Sequence, residues 1–122
     1  MIPPGRPKIT ETDVVRAIKQ YLQLRGFEVF RRNVGGAFNE LRFVRFSEPG
    51  QSDLYGWELA TGRHLECEVK KPRARTNPKR AALQREWRER AKRGNCVALH
   101  VASVLEADEQ LAEYGFDRRL LF

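Results

Sequence analysis

The 122-residue chain is poor in residues that cross-link or ligate soft metals: two cysteines, two histidines and one methionine. Cys67 and Cys96 are isolated in apolar surroundings and lack zinc spacing, which argues against a disulfide framework or a zinc knuckle. His64 and His100 fall on different predicted strands and are too few for a histidine-based metal site, and His100, inside an apolar run, reads as a core residue. No apolar run approaches the ~20 residues of a membrane helix. The first eight residues, Met1 to Lys8, carry no apolar signal core, so a cytoplasmic location is expected. Internal repeats are absent too. What remains, 41% hydrophobic and 32% charged residues, describes one modest globular core rather than a disordered chain.

Charge is the first positive signal. The net charge is +7, and its distribution is uneven. Residues 70–93 hold eleven basic side chains against Glu86 and Glu89, a local charge of +9, while the rest of the chain sums to −2. A basic strip on a near-neutral body is the electrostatic footprint of a polyanion surface, because phosphate contact releases counterions. A membrane-surface helix fits less well: the apolar positions Leu83, Trp87 and Ala91 form a thin stripe that one core can absorb.

Residues 1–9, with three prolines and one glycine, read as an extended arm, and residues 10–122 as a single domain. Thr10 to Asp13 has capping-box spacing, Val14, Val15, Ile18, Tyr21 and Leu22 recur at helical period, and Gly26 ends the helix. Phe27 to Arg31 reads as a strand, broken by Asn33-Val34-Gly35-Gly36, and Leu41 to Phe46 as a second. Asp53 to Leu59 and Arg63 to Lys70 read as a hairpin turning at Ala60-Thr61-Gly62. Asn77-Pro78 opens a helix that Gly94 stops. Cys96 to Ala102 has the continuous apolarity of a strand buried on both faces, and Ser103 to Glu106 is a capping box for a last helix ending at Gly115. The expected order is α-β-β-β-β-α-β-α, a mixed α/β structure with helices covering a central sheet.

Alternation along the strand ending at Lys70 sends Leu65, Cys67 and Val69 to an apolar layer and Glu66, Glu68 and Lys70 to the opposite face. Hairpin pairing can bring Asp53 beside Glu68, although sequence leaves that register open. Two converging carboxylates repel, and a hard divalent cation, Mg²⁺ or Mn²⁺, relieves the repulsion. Lys70, on the same face, can position a water and offset phosphate charge. Glu11 shares the helical stripe of Val15, Ile18 and Leu22, so it either serves the cation or is a first-turn acid favoured by the helix dipole. Glu66 reads as an acid that is solvated or that supports the Glu68 face from behind, Trp57 and Trp87 as core. Cys67, between two acids, should have a raised pKa and be a poor nucleophile.

Asp53, followed by Glu68-Val69-Lys70, resembles the PD-(D/E)xK nuclease motif, and the finer resemblance is to its VRR-NUC branch, which includes small stand-alone phage and bacterial nucleases. The ordered matches are Glu11 in the first helix, Arg32-Asn33 with Gly36, Gly50-Gln51-Ser52-Asp53, Glu68-Val69-Lys70-Lys71-Pro72, Gln84 in the next helix and the apolar strand ending at Ser103. They span about residues 10–106, and Ser52 stands where the motif often has Pro. The resemblance implies a restriction-endonuclease-like core and an Mg²⁺- or Mn²⁺-dependent DNA endonuclease. In it Asp53, Glu68, the Val69 carbonyl and Glu11 serve the metal, Lys70 activates water, and Gln84 lies near Lys70 or substrate, unless it is a plain surface amide. Arg32, Asn33, Lys71, Arg73, Arg75, Lys79 and Arg80 would grip the DNA backbone, with a plain turn as the alternative for Asn33. It further implies a homodimer cutting branched DNA such as four-way (Holliday) junctions, with no small-molecule cofactor and no membrane partner. Its interface would draw on Phe38, Phe43, Phe46 or Leu120-Leu121-Phe122, a tail that needs burial on its own core or on a partner. The alternatives are a nuclease of the same fold acting on nicked, flapped or linear duplex DNA, and a non-catalytic DNA-binding module.

Overall fold

Thr10 starts the first helix as its spacing predicts: its hydroxyl accepts from the Asp13 amide at 3.1 Å and the Asp13 carboxylate accepts from the Thr10 amide at 3.1 Å. The computed structural model describes residues 10–32, 50–70 and 77–120, and the backbone of 36–39 and 42–45. Helix α1, Glu11–Leu24, buries Val15, Ile18, Tyr21 and Leu22, and Gly26 turns the chain at φ +91°. Strand β1, Phe27–Arg31, sends Phe27 and Val29 inward. The arm 1–9 and the last residues Leu121 and Phe122 lie outside the described residues.

One strand more than expected follows. Strands β2, Gly36–Asn39, and β3, Arg42–Arg45, pair antiparallel as a separate two-stranded sheet, with Ala37 opposite Val44. A four-residue strand that opens on glycine carries little propensity of its own, and its hydrogen bonds come from the partner strand. The order is therefore α-β-β-β-β-β-α-β-α.

The main sheet is mixed and four-stranded, in the order β1-β4-β5-β6. Strands β4, Leu54–Glu58, and β5, His64–Val69, form the expected hairpin, with Gly62 at φ +75° in its turn. Strand β6, Val97–Val101, runs parallel to β5, so the intervening helix α2, Pro78–Arg93, is the crossover that a parallel pair requires. Asn77 caps α2 by accepting from the Lys79 amide at 2.9 Å. Helix α3, Val104–Glu113, is capped by Ser103, and the Glu106 side chain reaches back to the Ala102 amide at 2.5 Å.

Helices α1 and α3 pack on one sheet face, where Phe27, Val29, Leu54, Leu65, Cys67, Val69, Leu99 and Val101 meet Ile18, Leu22, Ala107 and Leu111. Leu120 packs partly buried against this same core, so the described part of the apolar tail rests on its own domain. Strand β6 is an edge, and α3 closes it. Gln110 bonds both the amide and the carbonyl of His100, at 3.0 and 2.8 Å, and the Tyr114 hydroxyl does the same for Ala98. Side chains thus stand in for a missing strand and blunt an edge that invites pairing.

Helix α2 lies on the opposite face and corrects two expectations. None of its residues is buried, and Leu83 is exposed. Its partly buried stripe is Ala81, Gln84, Trp87, Arg88 and Ala91, and polar members appear in it because the strand face it covers carries acids and calls for polar partners. Trp57 is not core either: it is 42% exposed, in ring contact with Phe30. His100 is only partly buried. No helix among the described residues is long and apolar enough to cross a membrane.

Candidate active site

The hairpin register decides the geometry. Leu54 pairs with Cys67 and Tyr55 with Glu66, so the next position outward sets Asp53 against Glu68. Asp53 is further held by accepting from the Val69 amide at 2.9 Å, while its carbonyl accepts from the Arg32 amide at 2.8 Å. Gly50 makes this approach feasible. It sits at φ +87°, and a Cβ there would lie 2.6 Å from the Leu83 carbonyl oxygen, so only glycine lets the turn before Asp53 press against α2.

Glu68 is 6% exposed. Its Oε1 accepts from Gln84 Nε2 at 2.8 Å, and its Oε2 accepts from no donor among the described residues. Burial, and then the Asp53 carboxylate beside it, push its pKa up to about 8, against the pull of Arg80 and Arg88. An acid that is buried, beside a second acid and short of a donor is costly unless something else satisfies it.

Glu66, two residues back on the same face, is buried rather than solvated. Its Oε1 accepts from Trp87 Nε1 at 2.8 Å and stands 3.1 Å from Arg32 Nη1, while Oε2 faces His64 Nε2 at 3.6 Å. Arg32 also donates to the Ser52 carbonyl at 3.1 Å and lies over the Tyr55 ring. It is therefore turned inward, between β5 and α2, and does not offer a free guanidinium to solvent. The Glu66–Trp87–Arg32 cluster was invisible in sequence, because its members come from three separate elements.

Lys70 leaves the end of β5 with its amide bonded to the Val101 carbonyl at 2.7 Å and its Nζ 3.9 Å from Glu106 Oε1. That pair is solvent-exposed and weak, so the ammonium is readily diverted. Burial, helped by Arg88 and Lys70, lowers the pKa of His100, the β6 residue paired with Glu68 of β5, to about 4. Burial first, then Asp53, Glu68 and Glu66, hold the Cys67 thiol well above its usual range, leaving it unreactive as expected.

Lys79 and Arg80 are exposed on the first turn of α2. Asn33, Lys71, Arg73 and Arg75 lie outside the described residues, as do the side chains of Phe38, Phe43 and Phe46. Glu11 sits partly buried at the start of α1. Among the described residues no three carboxylate, imidazole or thiolate groups are gathered tightly enough to hold one ion, so Glu11 does not join Asp53 and Glu68 in a single set. The ligand atoms that the hairpin brings together are carboxylate oxygens, those of Asp53 and the orphaned Glu68 Oε2. That set suits a hard cation such as Mg²⁺ or Mn²⁺ and not a soft one. No protein-family model and no curated protein matches the chain.

Proposed function

We propose that this chain is an Mg²⁺- or Mn²⁺-dependent DNA endonuclease with a PD-(D/E)xK core of the VRR-NUC type. The observation that carries the reading is the Asp53–Glu68 pair: two acids set opposite one another by strand register, one of them buried with an oxygen lacking any donor. A buried acid short of a donor calls for a further partner, and Lys70 two residues along completes the motif's order.

In this reading Asp53, Glu68 and the Val69 carbonyl hold the ion, with Glu11 acting through water. A divalent ion bound there would lower the pKa of its water and stabilise the charge of the phosphorane-like transition state. The chain's own residues do the rest. The Val69 amide fixes the Asp53 carboxylate, and Gln84 fixes Glu68 Oε1, so both acids are oriented before substrate arrives. Lys70, released from Glu106, orients the attacking water. Lys79 and Arg80 at the exposed start of α2, with Lys71, Arg73 and Arg75, hold the phosphate backbone; such contacts position DNA without reading bases. Arg32 pairs with Glu66 beneath the site. Two copies related by a two-fold axis would nick a four-way junction symmetrically, which makes branched DNA in a homodimer the preferred substrate arrangement.

The test is cleavage of a synthetic four-way junction and of matched linear duplex by wild type and Lys70→Ala, with Mg²⁺, Mn²⁺ or EDTA. Metal-dependent paired nicks on the junction, lost in Lys70→Ala, are expected. Equal cutting of both DNAs retains the nuclease and removes the junction preference. Salt-sensitive binding of both DNAs without cutting in either metal leaves a non-catalytic DNA-binding module.

A further inference from the structure

Three buried side-chain polar atoms among the described residues lack a hydrogen-bond partner: Glu66 Oε2, Glu68 Oε2 and Arg88 Nη1. All three belong to residues between β5 and α2. Arg80, Gln84 and Arg88 recur every four residues along α2, so they share one stripe of the helix. Gln84, in the middle of that stripe, already donates to Glu68 Oε1. Arg80 and Arg88, one turn to either side, both act electrostatically on Glu68. Arg88 is the one whose guanidinium has an unpartnered nitrogen inside the protein, and Glu68 has its remaining oxygen unpartnered there too.

We propose that Arg88 is the resident counter-cation of the Asp53–Glu68 pair and competes with the divalent ion for it. This rests on the metal-dependent reading above and adds how the site controls its metal. A partly buried guanidinium that acts electrostatically on Glu68 lends positive charge to the acid pair when no ion is bound. The same charge repels an incoming divalent ion. Metal alone therefore binds weakly. A DNA phosphate near the site gives the guanidinium another anion and lowers that barrier, and by linkage metal and DNA then bind more tightly together than apart. Arg88 is in this account a positioning residue, acting through Glu68. Substituting it affects metal binding before any chemistry occurs.

The experiment is calorimetric titration of Mn²⁺ into the full metal-stripped chain, without DNA, for wild type, Arg88→Gln and Arg88→Lys, with far-UV circular dichroism to confirm folding. Removing one positive charge close to a divalent ion should tighten Mn²⁺ binding by roughly ten-fold in Arg88→Gln. Arg88→Lys keeps the charge and should stay near wild type, which a merely structural role for the side chain does not predict. Equal or weaker Mn²⁺ binding by folded Arg88→Gln overturns the counter-cation role while leaving the metal site intact. If Arg88→Gln does not fold, Arg88→Met, which also removes the charge, takes its place: Mn²⁺ binding roughly ten-fold tighter than wild type supports the role, and equal or weaker binding overturns it. Absence of Mn²⁺ binding in all three proteins overturns both this role and the metal-dependent reading.

Discussion

Asp108 and Glu68 are both buried acids, and the protein surrounds them in opposite ways. Asp108, on α3, accepts from the Tyr21 hydroxyl, from Arg25 at 2.9 Å, from Arg118 at 2.7 Å and from the Arg119 and Leu120 amides at 2.9 and 3.1 Å. Burial alone would raise its pKa, yet these donors hold it well below the usual carboxylate range. The hub ties α1, α3 and the C-terminal tail together. Glu68 has one neutral donor, one orphaned oxygen and another carboxylate beside it, and its pKa is raised. A charge saturated with donors is structural. An acid left short of donors keeps room for a further partner.

The largest effect should come from breaking the saturated hub. Asp108→Ala removes the buried acid shared by Arg25 and Arg118 and should cost about 3–5 kcal/mol in a denaturant titration, the range for removing one partner of a buried ion pair. If the loss is under about 1 kcal/mol, the contrast with Glu68 collapses.

Glu68→Gln should do the reverse in metal-free protein. It removes a buried acid facing Asp53 and keeps a side chain able to accept from Gln84. A gain of roughly 1–3 kcal/mol at pH 7 is expected, together with loss of cleavage. The same change at Asp108 should only destabilise.

The two acids should also pull the pH dependence in opposite directions. Asp108 has a folded pKa below its ordinary 3.8, so the unfolded chain binds the proton more readily and stability falls as pH drops below about 4. Glu68 has a folded pKa of about 8 against an ordinary 4.5, so metal-free stability falls as pH rises through that window. A stability profile of Glu68→Gln should keep the acid limb and lose the descent between those two values.

The smallest effect belongs to Gln84→Ala. It takes the last neutral donor from Glu68, costs about 1 kcal/mol or less, and should slow cleavage more than it lowers the melting temperature.

How far sequence reached depends on where each determinant lies. Helix caps at Thr10, Asn77 and Ser103, and the turn glycines 26 and 62, act locally and are legible in the sequence. The pairing of Asp53 with Glu68 was legible as a possibility, and the hairpin made it definite, since a turn of set length leaves one register. Counting apolar positions misplaces the inner stripe of α2, because it presumes an apolar partner, whereas this helix covers Glu66 and Glu68. Asp108 gave no signal, since its partners lie at residues 21, 25 and 118–120. Gly36 was read as punctuation, and only its pairing with Arg45 reveals a strand. The spacing of Arg80, Gln84 and Arg88 was available in sequence, but it takes the position of Glu68 to give it meaning.

The most direct test of the claim that Asp53 and Glu68 await a cation is the melting temperature of wild type and Glu68→Gln with and without Mn²⁺. The account predicts that Mn²⁺ raises the wild-type value by several degrees, as a ligand of the folded state should, and leaves Glu68→Gln unmoved. An equal rise in both proteins, or none in wild type, would contradict it.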